Sequence, residues 1–412
     1  MSQTTQQIVT LVTGTFMAHL ITIAFTPLLS RWYAPAVFGE FGALMAVVNA
    51  FQVVACAKYE MGIVLATDRR EALHLWLLSV AVAAAMSVFI LLGVATSTFL
   101  PFPTVTPFLR VALWLLPLLI FLLGVYMACN MWLTRANRFR QMAEARVSFS
   151  ETNNVVAAIL GYTQSGALGL FVANLIGHFV FVVLLVLYSF KDIIYILKTF
   201  TIKELQRVAQ MYSYLPRTTF FQQIIEMLQS NALLFLLPAL YDTTVTGYYY
   251  RTVIVFQAPV SLLANTMQQV VYRETAALHR ADAPLRPLLL ATLKKSIIIG
   301  LPICLVLVLA APTLFVWIFG AQWHEAGVYA SILATWQFLD FLRIPINQTA
   351  LVLRQQRALL HRSVIGILLL LGSFGAATLL WHEPRFALVA ISTTMSVFTL
   401  YLLVWLWRLS DK

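Results

Sequence analysis

The sequence predicts an all-α polytopic membrane protein, with about twelve transmembrane helices in two six-helix lobes around a central cavity. Three observations carry that prediction. The 412-residue chain is 61% hydrophobic and 10% charged, whereas a soluble globular protein carries roughly 25% charged residues. So little charge cannot coat a water-facing surface, and lipid is the expected solvent. Apolar runs of about 20 residues, the length that spans a bilayer, recur twelve times. The basic residues between the runs alternate in density, as connections on opposite sides of a membrane do.

The runs centre near residues 18, 48, 88, 121, 155, 179, 228, 258, 304, 338, 370 and 396. The first follows "MSQTTQQIVT", which has no basic n-region, and no small-residue cleavage site comes after it. It is therefore expected to stay as a helix rather than be removed as a signal peptide. It carries a stripe of Thr15, His19, Thr22 and Thr26. The second carries Asn49, Gln52, Cys56 and Glu60, and the sixth Asn174 and His178. The seventh holds Gln222, Glu226 and Gln229, and the eighth Arg251, Asn265 and Gln269 with Pro259 between them. The tenth holds Gln337, Asp340, Arg343 and Asn347, spaced i, i+3, i+6 and i+10, with Pro345 expected to kink it. The fifth, seventh and tenth runs are the most polar. Aromatics at "RWY" (31–33) and "WLW" (405–407) suit an interfacial belt.

Placing the N-terminus inside puts twenty of the 27 Lys and Arg residues in the even-numbered connections and the tail. Only Arg31, Arg110 and Arg385 fall on the opposite side. This positive-inside bias predicts cytoplasmic termini. The net charge of +11 is scattered over these short connections, not gathered in a patch, which excludes nucleic acid as a partner. Cys56, Cys129 and Cys304 have neither CxxC spacing nor histidines at ligand spacing, so neither a metal site nor a disulfide is expected, and no cofactor.

Four basic residues remain within or at the edges of the spans: Lys58, Arg217, Arg251 and Arg343. Four acids do likewise: Glu60, Glu151, Glu226 and Asp340. A charge at a helix centre costs about 2.5–3.5 kcal/mol on insertion scales, so such residues face a protein interior or a watery cavity. They either lock helices together in pairs or serve transport. Six polar stripes inside an apolar shell favour transport.

The chain also repeats itself at an offset of about 208: Tyr33 aligns with Tyr241, Val37 with Val245, Gly39 with Gly247 and Phe41 with Tyr249. The repeat divides the spans six and six, with both halves in the same orientation. The predicted organisation is an N-terminal lobe over 1–190, a cytoplasmic linker over 191–210 and a C-terminal lobe over 211–412.

The stretch "LLSRWYAPAVFGEFGALMAVVNAFQVVACAKYEMGIVLATDRREA" resembles the first helical hairpin of Wzx-type polysaccharide flippases, with Gly62 where alanine is commoner. "FGAQWHEAGVYASILA" (319–334) is similar to that family's F-G-x-x-W-x-x-A-G-x-Y segment. Residues 215–271 resemble its seventh and eighth helices through Gly247, Tyr249, Arg251 and Pro259. The resemblance implies the fold of the MATE/MOP exporter superfamily. It also implies flipping of undecaprenyl-pyrophosphate-linked oligosaccharide across the bacterial inner membrane for O-antigen or capsule assembly, with proton or sodium coupling. A polysaccharide polymerase and a chain-length regulator are the implied partners, besides the bilayer and the lipid-linked substrate. The family's cation-rich cavity points to Arg217, Arg251, Arg343, Lys58, Asn347 and Gln337 for the pyrophosphate and glycan, and to Asp340, Glu226 and Glu60 for the coupling ion. The first lobe departs from the pattern in having only Lys58 as an interior base.

No catalytic residue is expected. A membrane polymerase or ligase needs a large external loop, and the external connections here span about 4–12 residues. No DxD or GxxxxGK[ST] occurs. The alternative is a cation-coupled multidrug exporter of the same superfamily.

Overall fold

The structure, a computed structural model, describes residues 3–97, 106–281, 283–347, 349–353 and 355–409. Every regular element among them is helical. The chain divides into two compact units: Met1–Tyr33 with Glu40–Met227, and Ala34–Gly39 with Leu228–Lys412.

The first unit contains α1 (Gln3–Trp32), most of α2 (Pro35–Val54), α3 (Tyr59–Leu65), α4 (Arg69–Ser97), α5 (Pro107–Arg135), α6 (Phe139–Tyr162), α7 (Gly166–Thr199), α8 (Ile202–Met211) and the start of α9 (Tyr214–Leu240). Here α1 packs on α6, α4 on α5, α6 on α7 and α5 on α7. Small residues set the close approaches, as they do where lipid supplies no hydrophobic drive between helices. A Cβ on Gly14 would meet Ala143, and one on Gly124 would meet Ala83.

The second unit contains the rest of α9, α10 (Thr243–Arg280), α11 (Arg286–Phe319), a 3-10 turn (Ala321–Trp323), α12 (His324–Ile346), α13 (Thr349–Val352), α14 (Gln356–Trp381) and α15 (Pro384–Leu409). Its pairings α11 on α12, α14 on α15 and α12 on α15 repeat those of α4 on α5, α6 on α7 and α5 on α7. The repeated tyrosines behave alike. Tyr33 donates to the Ala157 carbonyl of α6 at 2.8 Å, and Tyr241 hydrogen-bonds Thr378 of α14 at 3.0 Å.

Twelve of these helices are long, and each expected span centre falls within one of them. Nine are apolar enough over a membrane's thickness, among the described residues. The other three are α6, α10 and α12. Large apolar side chains lie open to the outside along the spans, such as Phe89 on α4, Leu309 on α11 and Leu379 on α14. Only lipid satisfies such a surface.

The stretch 191–210 is mostly helical and groups with the first unit: α7 continues to Thr199 and α8 begins at Ile202. Its buried Asp192 accepts from Arg69 and from Trp132 Nε1, the latter at 3.1 Å, and Arg138 approaches to 3.4 Å. Arg135 donates to the carbonyls of Ile63, Ala66 and Asp68, tying the end of α3 to the turn that leads into α4.

Candidate functional site

The tenth-span stripe forms the last turns of α12. Arg343 donates from both Nε (2.7 Å) and Nη2 (2.6 Å) to one oxygen of Asp340, and from Nη1 to Asn347 at 3.4 Å. Arg343 and Asp340 side chains are 22% and 31% exposed, so the pair is reachable from outside the protein. Gln337 lies one turn earlier and is half-buried. Pro345 falls in the final turn rather than mid-span, because α12 begins at His324 and ends at Ile346. Arg343 therefore lies about 12 Å beyond the helix midpoint, at about 1.5 Å per residue. It sits toward the basic connection, where a cation also favours the helix C-terminus.

A second cluster sits where α2 breaks. Ala57 and Lys58 are left-handed, with φ of 47° and 66°. Two consecutive non-glycine residues in that region stop the helix before α3 starts. This breaks the expected Asn49–Glu60 stripe: Cys56 lies in the turn and donates to the Gly124 carbonyl at 3.3 Å. Lys58 is 5% exposed and Glu60 2%. Lys58 donates to Gln223 at 3.0 Å and lies 3.9 Å from Glu60 Oε1. Glu60 Oε2 is buried without a hydrogen-bond partner. Gln223 escaped the sequence reading, which placed its neighbour Gln222 on the polar stripe.

The remaining residues are dispersed. Arg217 is exposed on the first turn of α9, ahead of its apolar stretch, and Glu226 is exposed further along the same helix. Arg251 is 3% exposed and enclosed by three rings, those of Phe38 and Phe319 at 4.9 Å and Trp323 at 5.4 Å. It presents no open face to a ligand. The side chains of Gln222, Pro259, Asn265 and Gln269 lie outside the described ones.

Two of the polar stripes make contacts between or within helices. Thr22 meets Ser150 at 3.0 Å, Ser150 donates to the Ala18 carbonyl at 2.7 Å, and Arg146 donates to Thr15 at 2.8 Å. This is polar adhesion between α1 and α6. His178 bonds the Asn174 carbonyl within its own helix and abuts Phe149 at 4.6 Å. Among the described residues no three His, Cys, Asp or Glu side chains gather to hold a metal.

The fold matches solved transporters. An inward-facing multidrug resistance MATE family transporter of the MOP superfamily superposes with a TM-score of 0.71 at 16% identity, covering 97% of this chain and 94% of its own. The lipid II flippase MurJ, in an inward closed conformation, gives 0.72 at 16% identity, covering 96% and 87%. A MOP superfamily transporter from Pyrococcus furiosus gives 0.65 at 16% identity, covering 99% and 96%. No curated protein sequence matches significantly. The profile of the polysaccharide biosynthesis protein family, however, matches residues 28–328, well over half of the chain. That span holds both repeated hairpins, the α2 break and the Trp323 segment, and it places this multi-pass membrane protein, which shares the fold of the solved MATE transporters, in the polysaccharide biosynthesis protein family.

Proposed function

We propose that this chain flips undecaprenyl-pyrophosphate-linked oligosaccharide across the bacterial inner membrane, for O-antigen or capsular polysaccharide assembly, by cation-coupled alternating access. The single observation that carries the reading is the α12 pair. Arg343 is a reachable guanidinium, held in place by Asp340 and Asn347 on a spanning helix of a polysaccharide biosynthesis protein. A pyrophosphate carries at least two negative charges, and in a site screened from bulk water it outcompetes one carboxylate for that fork. Gln337 and Asn347 are the neighbouring donors and acceptors for sugar hydroxyls. Asp340 then holds Arg343 between substrates.

Coupling is assigned to the α2 break. Glu60 has one oxygen unpartnered, and Lys58 is its only basic ion-pair partner among the described residues. A cation or proton arriving at Glu60 loosens Lys58. The bias of basic residues toward one side supports cytoplasmic termini, and a polymerase and chain-length regulator receive the product on the far side.

The test is deletion of the gene. Lipid-linked oligosaccharide should stay on the cytoplasmic leaflet and surface polymer should vanish. Persistent surface polymer in a strain without a second flippase, together with reduced drug efflux, would establish the multidrug exporter instead.

A further inference from the structure

The pair α14 and α15 of the second unit carries a cation that nothing on either helix neutralises. Neither Gln356–Trp381 nor Pro384–Leu409 contains an aspartate or glutamate. Arg362, on the second turn of α14, lies 4.0 Å from the centre of the Trp405 ring and 5.9 Å from that of Tyr401, both on α15. Its Nη1 donates to the Ala358 carbonyl at 2.9 Å, while its Nε is buried without a hydrogen-bond partner. Among the described residues it has no carboxylate at ion-pair distance. Tyr401, Trp405 and Arg408 follow at i, i+4 and i+7, so a second guanidinium shares that face of α15.

The matching corner of the first unit is built differently. There α6 packs on α7 as α14 packs on α15. Arg140, near the start of α6, donates from Nε to Glu144 at 2.8 Å, and Tyr188 of α7 donates to the other oxygen of Glu144 at 3.1 Å. That corner holds its own counter-charge. In the second unit a ring stands where the acid would be. Stacking occupies the flat face of a guanidinium and leaves its charge uncancelled, with donors along its edge.

Depth and surroundings say what could supply the missing charge. The apolar span of α14 begins at Arg357 and that of α15 ends at Leu409. At about 1.5 Å per residue, Arg362 and Trp405 lie about 6–8 Å inside those ends. The headgroup layer on each side of a bilayer is about 5–8 Å deep. Around the stack Ile365, Leu369, Tyr401 and Val404 are exposed apolar or aromatic surface, as acyl chains require. A phosphate oxygen is the anion present at that depth, and a fork binds it with two parallel hydrogen bonds. A zwitterionic headgroup also brings an ammonium, for which α14 and α15 offer no acid. Net-anionic lipid is therefore preferred.

We propose that the α14–α15 seam at Arg362 and Trp405 is a binding site for an anionic membrane phospholipid of the phosphatidylglycerol type, its phosphate on Arg362 and its chains along the exposed face beside Tyr401. The site is separate from the Arg343 pair and does not depend on what the protein carries.

The test uses the full-length protein in phosphatidylcholine vesicles containing a trace of phosphatidylglycerol with a diazirine near its headgroup. After illumination, peptides covering 358–369 and 398–408 should be crosslinked at least fivefold more than with diazirine phosphatidylcholine of the same chains. Arg362→Gln should bring the yield down to the phosphatidylcholine level, and Arg140→Gln should leave it unchanged. Equal yields from the two lipids, or an undiminished yield in folded Arg362→Gln, overturn the site and make the stack packing only. If Arg362→Gln does not accumulate, competition on the unaltered protein decides. Unlabelled phosphatidylglycerol should then displace the probe at least fivefold more effectively than phosphatidylcholine or undecaprenyl pyrophosphate. Equal displacement by phosphatidylcholine, or stronger displacement by undecaprenyl pyrophosphate, overturns the assignment to phospholipid.

Discussion

Arg251 and Arg343 stand on neighbouring helices of the same unit, and the chain treats their charges in opposite ways. Arg251 is closed in by three rings and hidden from solvent. Arg343 is tied to a carboxylate and remains 22% exposed. Rings satisfy a cation without cancelling its charge, and here they also cover it. A single carboxylate cancels the charge but leaves the fork within reach of a stronger anion. The first arrangement suits a permanent fitting, the second an exchange. An intramembrane arginine is therefore not by itself a ligand site; what encloses it decides.

The largest expected effect divides the two arginines. Arg343→Gln should abolish flipping while membrane abundance stays normal, and Arg343→Lys should retain part of the activity, since charge survives without the bidentate fork. Arg251→Gln should do the reverse, lowering abundance severalfold, because a buried amide among rings costs about 1–3 kcal/mol. Quantifying surface polysaccharide and membrane protein together checks both. Normal abundance with lost flipping in Arg251→Gln would erase the distinction.

The next effect concerns the partner carboxylate. Asp340→Asn should leave abundance nearly unchanged, as a partly exposed pair is worth roughly 0–1 kcal/mol. The double change Asp340→Asn/Arg343→Gln should fold and remain inactive. An active double mutant would mean that the two residues only neutralise each other.

A smaller effect is expected at the α2 break. Glu60→Gln should slow transport a few fold and flatten its response to an imposed pH gradient. Flipping rates in vesicles at several gradients measure this, and an unaltered response removes Glu60 from coupling.

The smallest effect is conformational. Ala57 holds a left-handed φ of 47°. Such a conformation costs a non-glycine residue about 1–2 kcal/mol, while glycine loses about 0.5–1 kcal/mol through chain entropy. Ala57→Gly should therefore gain about 0.5 kcal/mol, seen as a slightly raised unfolding midpoint in detergent. A lowered midpoint would show that the break is held by more than local backbone preference.

The helices were legible in the sequence because lipid imposes a simple rule of length and polarity, and each predicted centre lies inside a long helix. The Asp340–Arg343–Asn347 grouping was legible too, since helical spacing alone brings those residues onto one face. Arg251 was not. Its rings come from Phe38 and Phe319–Trp323, far away along the chain, and no helical spacing brings those segments together. The break at Ala57–Lys58 was hidden because neither residue type signals left-handed backbone. The contacts of the α1 stripe with α6 were not legible either, because threonines that join helices and threonines that meet water look alike in one sequence.

The packing of Phe38, on the first turn of α2, against Trp323 at 5.4 Å also imposes an order on biosynthesis. Phe38 emerges from the ribosome about 285 residues before Trp323. At about 5–20 residues per second, the newborn helix waits roughly 14–57 s for the rings it rests against. Throughout that interval Phe38 is open to lipid, to insertion machinery or to another nascent chain. A pause or truncation before α12 is thus more damaging than the loss of one span suggests, because it leaves the beginning of the protein unfinished as well as its end.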